Sequence, residues 1–335
     1  MQNRSLKVCI TVENMNALLL NQPYITSNNF SSWHGLINCL FKICFISIVG
    51  KREDFEKCIT ENNSSAFHIT LLNLWSQGCV SLLPQNPSID YSNPFSYSFD
   101  FNTPANKCAP INLQLNADNY QRFINSVSYD IVKITNSSNQ LNLDSWESLR
   151  SNLLPINSII ICDQYFFSYE ASFIPNAIGL IDSLLGNIQI ENTKVDITIF
   201  FKLYFSQTRV SLKKFHEKII SEIIKRKENL KYKINLTLVQ TELEWYHDRK
   251  IITNSYLIET GNSFSFYDRT GKIKLNGITN FEFYPVFHIK YDKSNNSMSI
   301  LERYFSHLTF LKKLCKNGNA KIAGSNQNRI LNFLN

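Results

Sequence analysis

Glycine is scarce in this sequence, in which only ten of the 335 residues are glycines. Phosphate-binding loops of the Walker and dinucleotide-binding types need glycines at fixed spacings, because their backbone approaches the phosphates closely. Neither spacing occurs in the chain. The sequence therefore excludes these two common kinds of nucleotide site.

Closely paired cysteines and long apolar runs are also missing. None of the eight cysteines belongs to a Cys-x-x-Cys pair, and most stand inside apolar runs, where a thiol behaves as a small hydrophobic group. The longest apolar stretch, residues 36–49, is interrupted by Asn38 and Lys42 and is too short to cross a bilayer. No signal-peptide pattern stands at the N-terminus. We expect reduced thiols, no membrane span and a cytoplasmic location.

Charge is distributed unevenly along the chain. Residues 1–150 carry 10 basic and 11 acidic residues, whereas residues 151–335 carry 24 basic and 16 acidic ones. The net charge of +7 therefore resides in the second half, which indicates a polyanionic partner there. A solvated basic surface is the alternative interpretation.

Apolar periodicity divides the chain into two parts with different patterns. Over residues 144–315, short apolar strands alternate with amphipathic helices, which is typical of an α/β fold with a mostly parallel mixed sheet flanked by helices. Residues 1–143 predict a less regular α+β region, and residues 316–335 predict a polar tail. Asp163 ends the predicted strand 159–163, at the carboxyl edge where such sheets gather ligand groups.

The stretch from Trp245 to Phe264 concentrates the potential chemistry of the chain. Four polar residues, 247–250, stand directly before an apolar run that predicts a strand over 251–258. Gly261 and Asn262 predict the turn that follows it, and residues 264–267 predict the returning strand. Charged groups at the end of a buried strand are costly unless they meet partners or a ligand.

The spacing within this stretch resembles a known motif. His247, Arg249, Asn254, Gly261 and Ser263 form the pattern His-x-Arg-x4-Asn-x6-Gly-x-Ser. This is similar to the HKD motif of the phospholipase D superfamily, His-x-Lys-x4-Asp-x6-Gly-Ser. The order of strands and helices over residues 155–315 is similar too. Arg249 stands in place of the family's lysine, and Asn254 stands in place of its aspartate.

The resemblance implies a reaction and a requirement. His247 matches the histidine that attacks a phosphodiester phosphorus while a second histidine protonates the leaving group. Two copies of the motif are therefore needed, and this chain carries one. No second histidine or cysteine lies at ligand spacing from His247, so we expect no metal, and we expect no cofactor.

The same resemblance implies roles for the neighbouring residues. Arg249 can bind phosphate oxygens through two N–H groups. The other candidate phosphate-binding residues are Lys250, Asn254 and Ser263. Because Asn254 lacks a negative charge, the candidates for orienting the histidine are Asp163 and Asp248.

Three functions are consistent with these observations. The favoured one is recognition of nucleic acid, or of another phosphodiester polyanion, by a degenerate phospholipase D-like domain. Such domains resemble accessory parts of bacterial nucleic-acid-processing or phage-defence systems. The first alternative is a metal-independent homodimeric nuclease or phosphodiesterase in which two chains each supply His247. The second is a protein-interaction module with a vestigial site, which would include a protein partner bound through the N-terminal region.

Overall fold

The computed structural model divides the chain into two compact units, one formed by Met1–Asp130 with Phe287–Lys290 and the other by Ile131–Val286 with Tyr291–Asn335. The structure describes residues 6–20, 37–38, 40–42, 44–89, 93–100, 109, 111–114, 132–137, 140–141, 146, 156–167, 174–186, 194–202, 211–226, 232–241, 249–261, 264, 267–268, 280–285, 300–316, 318 and 320–333. All structural statements below refer to these residues.

The N-terminal unit is built on a parallel sheet. Its five strands are β1 (Leu6–Thr11), β2 (Cys44–Val49), β3 (Val80–Leu83), β4 (Ser96–Asp100) and β5 (Ile111–Gln114). They are arranged in the order β3-β2-β1-β4-β5, and every pair is parallel. Its helices are α1 (Val12–Leu19), α2 (Arg52–Glu61) and α3 (Ala66–Ser76). This order is that of a doubly wound sheet.

The C-terminal unit is built on a mixed sheet of nine strands. They are β6 (Val132–Ser137), β7 (Gln140–Leu141), β8 (Ser158–Cys162), β9 (Lys194–Phe201), β10 (Lys233–Thr241), β11 (Arg249–Thr253), β12 (Tyr256–Thr260), β13 (Asn280–Pro285) and β14 (Ala320–Gly324). Their order is β14-β10-β9-β8-β11-β12-β13-β6-β7. The central strands β8, β9 and β10 are parallel, and the strands on either side of them pair antiparallel.

Helices accompany the mixed sheet. They are α4 (Gly179–Leu185), which follows a π-helical turn (Ile174–Ile178), α5 (Leu212–Arg226), α6 (Ile300–Lys316) and α7 (Arg329–Asn332). Helix α5 buries Phe215, Ile219 and Ile223, which recur every four residues and so form one apolar face. None of the described helices is long and apolar enough to span a membrane.

The predicted α/β class is confirmed, with helices flanking a mostly parallel sheet and a mixed sheet. The N-terminal region is more regular than its sequence indicated, because its strands pair in one parallel sheet. The segment predicted as a polar tail contains β14 and α7. Arg329 at the start of α7 pairs with buried Asp196 of β9 at 2.9 Å, which ties this segment to the sheet.

Two sequence-based expectations need correction. The hairpin turns at Asn254 and Ser255, between β11 and β12, whereas the sequence predicted one strand over 251–258 and a turn at Gly261. Side chains in the turn bind the local backbone: Thr253 Oγ1 accepts the N–H groups of Ser255 and Tyr256, a common turn device. Cys9 is disulfide-bonded, although its position in the sequence suggested a reduced thiol, because sequence spacing does not reveal which cysteines approach in space.

Candidate functional site

Asp163 directly follows β8, and its carboxylate is fixed by the backbone. The side chain is fully buried. Oδ1 accepts the N–H of Tyr165 at 2.8 Å, and Oδ2 accepts the N–H of Phe264 at 2.9 Å. Bonds from N–H groups to an ionised oxygen are stronger than those between neutral groups. The carboxylate therefore has a defined position at the carboxyl end of a parallel strand.

Arg249 begins β11 and lies beside this carboxylate. Lys250 pairs with Cys162 in the antiparallel register of β11 and β8, which brings Arg249 to the same end of the sheet as Asp163. The Nε atom of Arg249 lies 3.8 Å from Asp163 Oδ1. Its Nη1 donates a hydrogen bond of 2.9 Å to the carbonyl oxygen of Gly261. Thus the structure brings together two predicted site residues from different strands.

Aromatic rings surround this pair. The guanidinium carbon of Arg249 lies 5.3 Å from the ring centroid of Tyr165, which is a cation–π distance. Phe264 is buried, and its ring centroid lies 6.4 Å from that of Phe166. The Arg249 side chain remains 15 % exposed. The arrangement thus holds the Arg249 side chain, most of which is buried, in a partly apolar setting, where a charged ligand is held more strongly than in open water.

Lys250 lies on the opposite face of β11, because successive side chains of a strand alternate between faces. It is 4 % exposed, and its Nζ donates to Glu259 Oε1 at 2.8 Å. Arg303 of α6 binds the other oxygen of Glu259 at 2.6 Å. His307 Nε2 lies 3.7 Å from Glu259 Oε1. Lys250 is therefore separated from Arg249 and is part of an ion-pair cluster between the hairpin and α6.

Burial and neighbouring charges shift the pKa values of Glu259 and of Cys162, which lies beside Lys250. Burial alone would raise the pKa of Glu259, but the hydrogen bond and charge of Lys250, together with Arg303, hold this pKa below its usual value. Burial raises the pKa of the Cys162 thiol, although the nearby Lys250 opposes the shift. Glu259 is therefore ionised at neutral pH, and the Cys162 thiol is protonated.

Asn254 lies at the far end of β11 from Arg249, and the five-residue strand between them is roughly 16 Å long. Its side chain is fully buried. Oδ1 accepts two backbone N–H groups at 3.0 Å, from Asn157 and Ser158 at the start of β8. Asn328 of the C-terminal segment binds Ser158 Oγ at 2.9 Å in the same region. Through these two hydrogen bonds, the Asn254 side chain connects the hairpin turn to the start of β8.

The remaining candidate residues, which are His247, Asp248 and Ser263, lie outside the described residues. Their predicted roles stay predictions. His247 precedes Arg249 by two residues in the sequence.

Sequence reasoning missed part of the structure around Arg249 and Lys250. Glu259 and Arg303 carried no sequence signal, because the contact that joins them spans 44 residues. Tyr165 is half-buried and lies against Arg249. A run of aromatic residues after Asp163 was the available signal. Within the described parts of the chain, no group of three or more His, Cys, Asp or Glu side chains could hold a metal ion.

The sequence matches no protein-family model and no curated protein. Among solved structures, the chain is similar to the crystal structure of phosphatidylserine synthase from Haemophilus influenzae Rd KW20, with 15% sequence identity and a TM-score of 0.28. The similarity covers 53% of this chain and 35% of that chain. The matched part therefore spans about a third of the synthase, and a likeness at this level assigns no family and no activity.

Proposed function

We propose that the C-terminal unit binds phosphodiester groups, those of nucleic acid in the first place, through Arg249. The observation that carries the proposal is the fixed guanidinium beside Asp163, with its side chain 15 % exposed. A guanidinium that is already oriented loses little conformational freedom on binding a phosphate. It also offers N–H groups in the planar arrangement that phosphate oxygens accept.

The charge of the chain supports a polyanionic ligand. The excess of basic over acidic residues lies in the second half of the sequence. Lysines and arginines around a phosphate site add affinity by releasing counterions from the nucleic acid. An excess of positive charge attracts any polyanion, whereas Arg249 would supply the defined contact to one phosphate.

The proposal gives the candidate residues different roles. Arg249 contacts the phosphate, and Asp163 orients Arg249. Lys250 and Asn254, which the sequence also suggested for phosphate binding, stabilise the fold instead, since Glu259 and the start of β8 engage them. His247, Asp248 and Ser263 stay candidates for direct ligand contacts. A role in a bacterial nucleic-acid-processing or phage-defence system stays a prediction of the resemblance.

Binding can be measured by the fluorescence anisotropy of a labelled 20-nucleotide single strand and of its duplex, at several salt concentrations. We expect Arg249→Ala to weaken binding about tenfold, or about 1.4 kcal/mol, and to reduce the salt slope by about one. Arg249→Lys should retain part of the affinity, because an ammonium keeps the charge and loses the planar arrangement.

The matched control is Arg52→Ala in the N-terminal unit. Arg52 is an exposed arginine that pairs with Glu56 at 2.7 Å, and its loss should leave binding unchanged. If Arg249→Ala lowers the melting temperature without changing the affinity, then Arg249 has only a structural role. Binding that does not depend on salt would contradict the polyanion proposal as a whole.

Catalysis by a homodimer is the second candidate, and the position of His247 two residues before Arg249 favours it. In that reaction His247 attacks phosphorus, the leaving oxygen takes a proton from His247 of a second chain, and water then releases the phosphoryl group from histidine. The test is turnover of nucleic acid and of a generic phosphodiester in chelator. We expect little or no turnover. Turnover that is lost in His247→Ala would make the homodimeric enzyme the better interpretation.

A further inference from the structure

Strand β14 forms one end of the nine-stranded sheet in the described part of the chain. It pairs with β10 on one side, from Ala320 opposite Thr241 to Gly324 opposite Thr237. The outermost strand of a sheet has backbone N–H and C=O groups on its outer side that can pair with an additional strand.

A groove of about 840 Å³ lies between this strand and helix α5. Its apolar lining comes from both elements: Leu212, Ile220 and Ile224 of α5, and Ile322 and Ala323 of β14. Ile224 is 51% exposed, more than any other large hydrophobic side chain in the described residues. An apolar groove beside a strand edge provides two interactions for an extended peptide: backbone pairing and pockets for alternate side chains.

The charges around the groove select the kind of peptide. Helix α5 carries five basic residues and two acidic ones, and β14 adds Lys321. Lys213 and Lys225 line the groove itself, together with Glu217. An apolar segment that also carries acidic side chains would match both the lining and this excess of positive charge.

We propose that β14 and α5 form a docking site for an extended acidic segment of a partner protein, which adds a strand to the outer edge of β14. Alternate apolar side chains of the segment would enter the groove beside Ile224. Its acidic side chains would point to the other face of the sheet, where Lys321 lies, because Lys321 and Ile322 alternate on β14. The lysines of α5, such as Lys213, would attract the acidic segment as a whole. Because neighbouring strands lie about 4.8 Å apart, β14 is roughly 19 Å from β11, so the site is separate from Arg249.

A second copy of this chain is a poorer occupant of the edge. Pairing two β14 strands would place two basic helices α5 and two Lys321 side chains near one seam, and like charges across an interface are unfavourable. A lysine on an edge strand is a common protection against pairing with an identical edge. The same positive charge would instead attract an acidic partner.

The test uses two fluorescein-labelled peptides of eight residues with the full-length chain. One alternates glutamate with valine and isoleucine, and the other has lysine in place of every glutamate. We expect the acidic peptide to bind at least about tenfold more tightly, and we expect it to slow amide hydrogen exchange in Ala320–Gly324. Equal binding of both peptides, or unchanged exchange in β14, would overturn the proposal.

Three variants locate the interaction. Ile224→Glu should weaken the acidic peptide at least about tenfold, whereas Ile69→Glu should not, although Ile69 of α3 is similarly exposed at 46%. The double variant Lys213→Glu/Lys321→Glu should reverse the preference, so that the lysine peptide binds better. Failure of this reversal, or equal effects of the two isoleucine variants, would exclude the docking site.

Two further measurements separate this proposal from the others. Arg249→Ala should leave peptide binding unchanged, because Arg249 lies on a different strand; a joint loss would place the peptide at the phosphate site instead. Light scattering after size exclusion reports the oligomeric state. A dimer that dissociates in Ile224→Glu would identify a second copy as the occupant and refute the partner segment.

Discussion

Replacing Lys250 by methionine tests whether this buried lysine stabilises the fold or binds ligand. Its Nζ lies 2.8 Å from Glu259 Oε1, and the two side chains are 4% and 15% exposed. Removing one member of a buried ion pair usually costs about 3–5 kcal/mol, because the other charge stays buried. Here Arg303 still neutralises Glu259 at 2.6 Å. We therefore expect Lys250→Met to cost less, about 2 kcal/mol.

Replacing the partner residue, Glu259, should cost more stability than replacing Lys250. Glu259→Gln removes the negative charge that faces both Lys250 and Arg303, so we expect a loss of about 4 kcal/mol. Combining the two substitutions gives the coupling energy between the partners, since each single variant breaks the same contact. The double variant should be more stable than the sum of the single losses predicts.

The measurement is amide hydrogen exchange under native conditions, followed by mass spectrometry on peptides from β11 and β12. It reports the free energy of opening for this sheet and avoids the overlap of two unfolding units in an optical signal. The affinity for single-stranded nucleic acid should change by no more than about twofold in Lys250→Met. If that variant loses less than about 1 kcal/mol but weakens binding as much as Arg249→Ala, Lys250 contacts the ligand and our reasoning fails.

Three other predictions concern the same unit. Asn254→Ala should destabilise the sheet by about 3 kcal/mol, since two buried backbone N–H groups lose their acceptor. Asn254→Asp keeps an acceptor and should cost less. Hydrogen exchange in β8 distinguishes the two variants, and equal losses of stability would contradict the acceptor role of Asn254. The pKa of Glu259 is lowered in the folded state, so the stability that the ionised carboxylate contributes is present above the ordinary glutamate pKa of 4.5 and is lost as the pH falls below 4.5. The urea midpoints of the wild type and of Glu259→Gln should therefore converge in acid. Asp163→Asn should weaken single-strand binding less than Arg249→Ala, and an equal loss would show that Asp163 contributes as much as the guanidinium.

Apolar periodicity in the sequence determined the C-terminal elements well. The strand predicted over 159–163 corresponds to β8 (Ser158–Cys162), and α5 (Leu212–Arg226) is one of the amphipathic helices predicted over 144–315. Their buried faces follow from side chains close together in the sequence, so a local pattern is sufficient. The position of Asp163 at a strand end follows from the same pattern.

The N-terminal sheet shows where local patterns stop being informative. Residues 1–35 carry no sustained periodicity, yet they include β1 and α1. Strand β1 pairs with β2 and β4, which are separated from it by tens of residues. A strand buried between two parallel neighbours lacks the alternation of a half-exposed strand, so its sequence does not reveal its pairing.

The candidate site likewise has features that the sequence determined and features that only the tertiary structure decided. The sequence alone determined which residues around 247–263 carry charge and that Arg249 follows His247 by two positions. Tertiary structure decided that Arg249 meets Asp163, that Lys250 lies on the opposite face with Glu259, and that Asn254 binds the start of β8. The reason is physical: a turn at Asn254 rather than at Gly261 sets the pairing register of β11, and register determines which distant side chains each strand residue contacts.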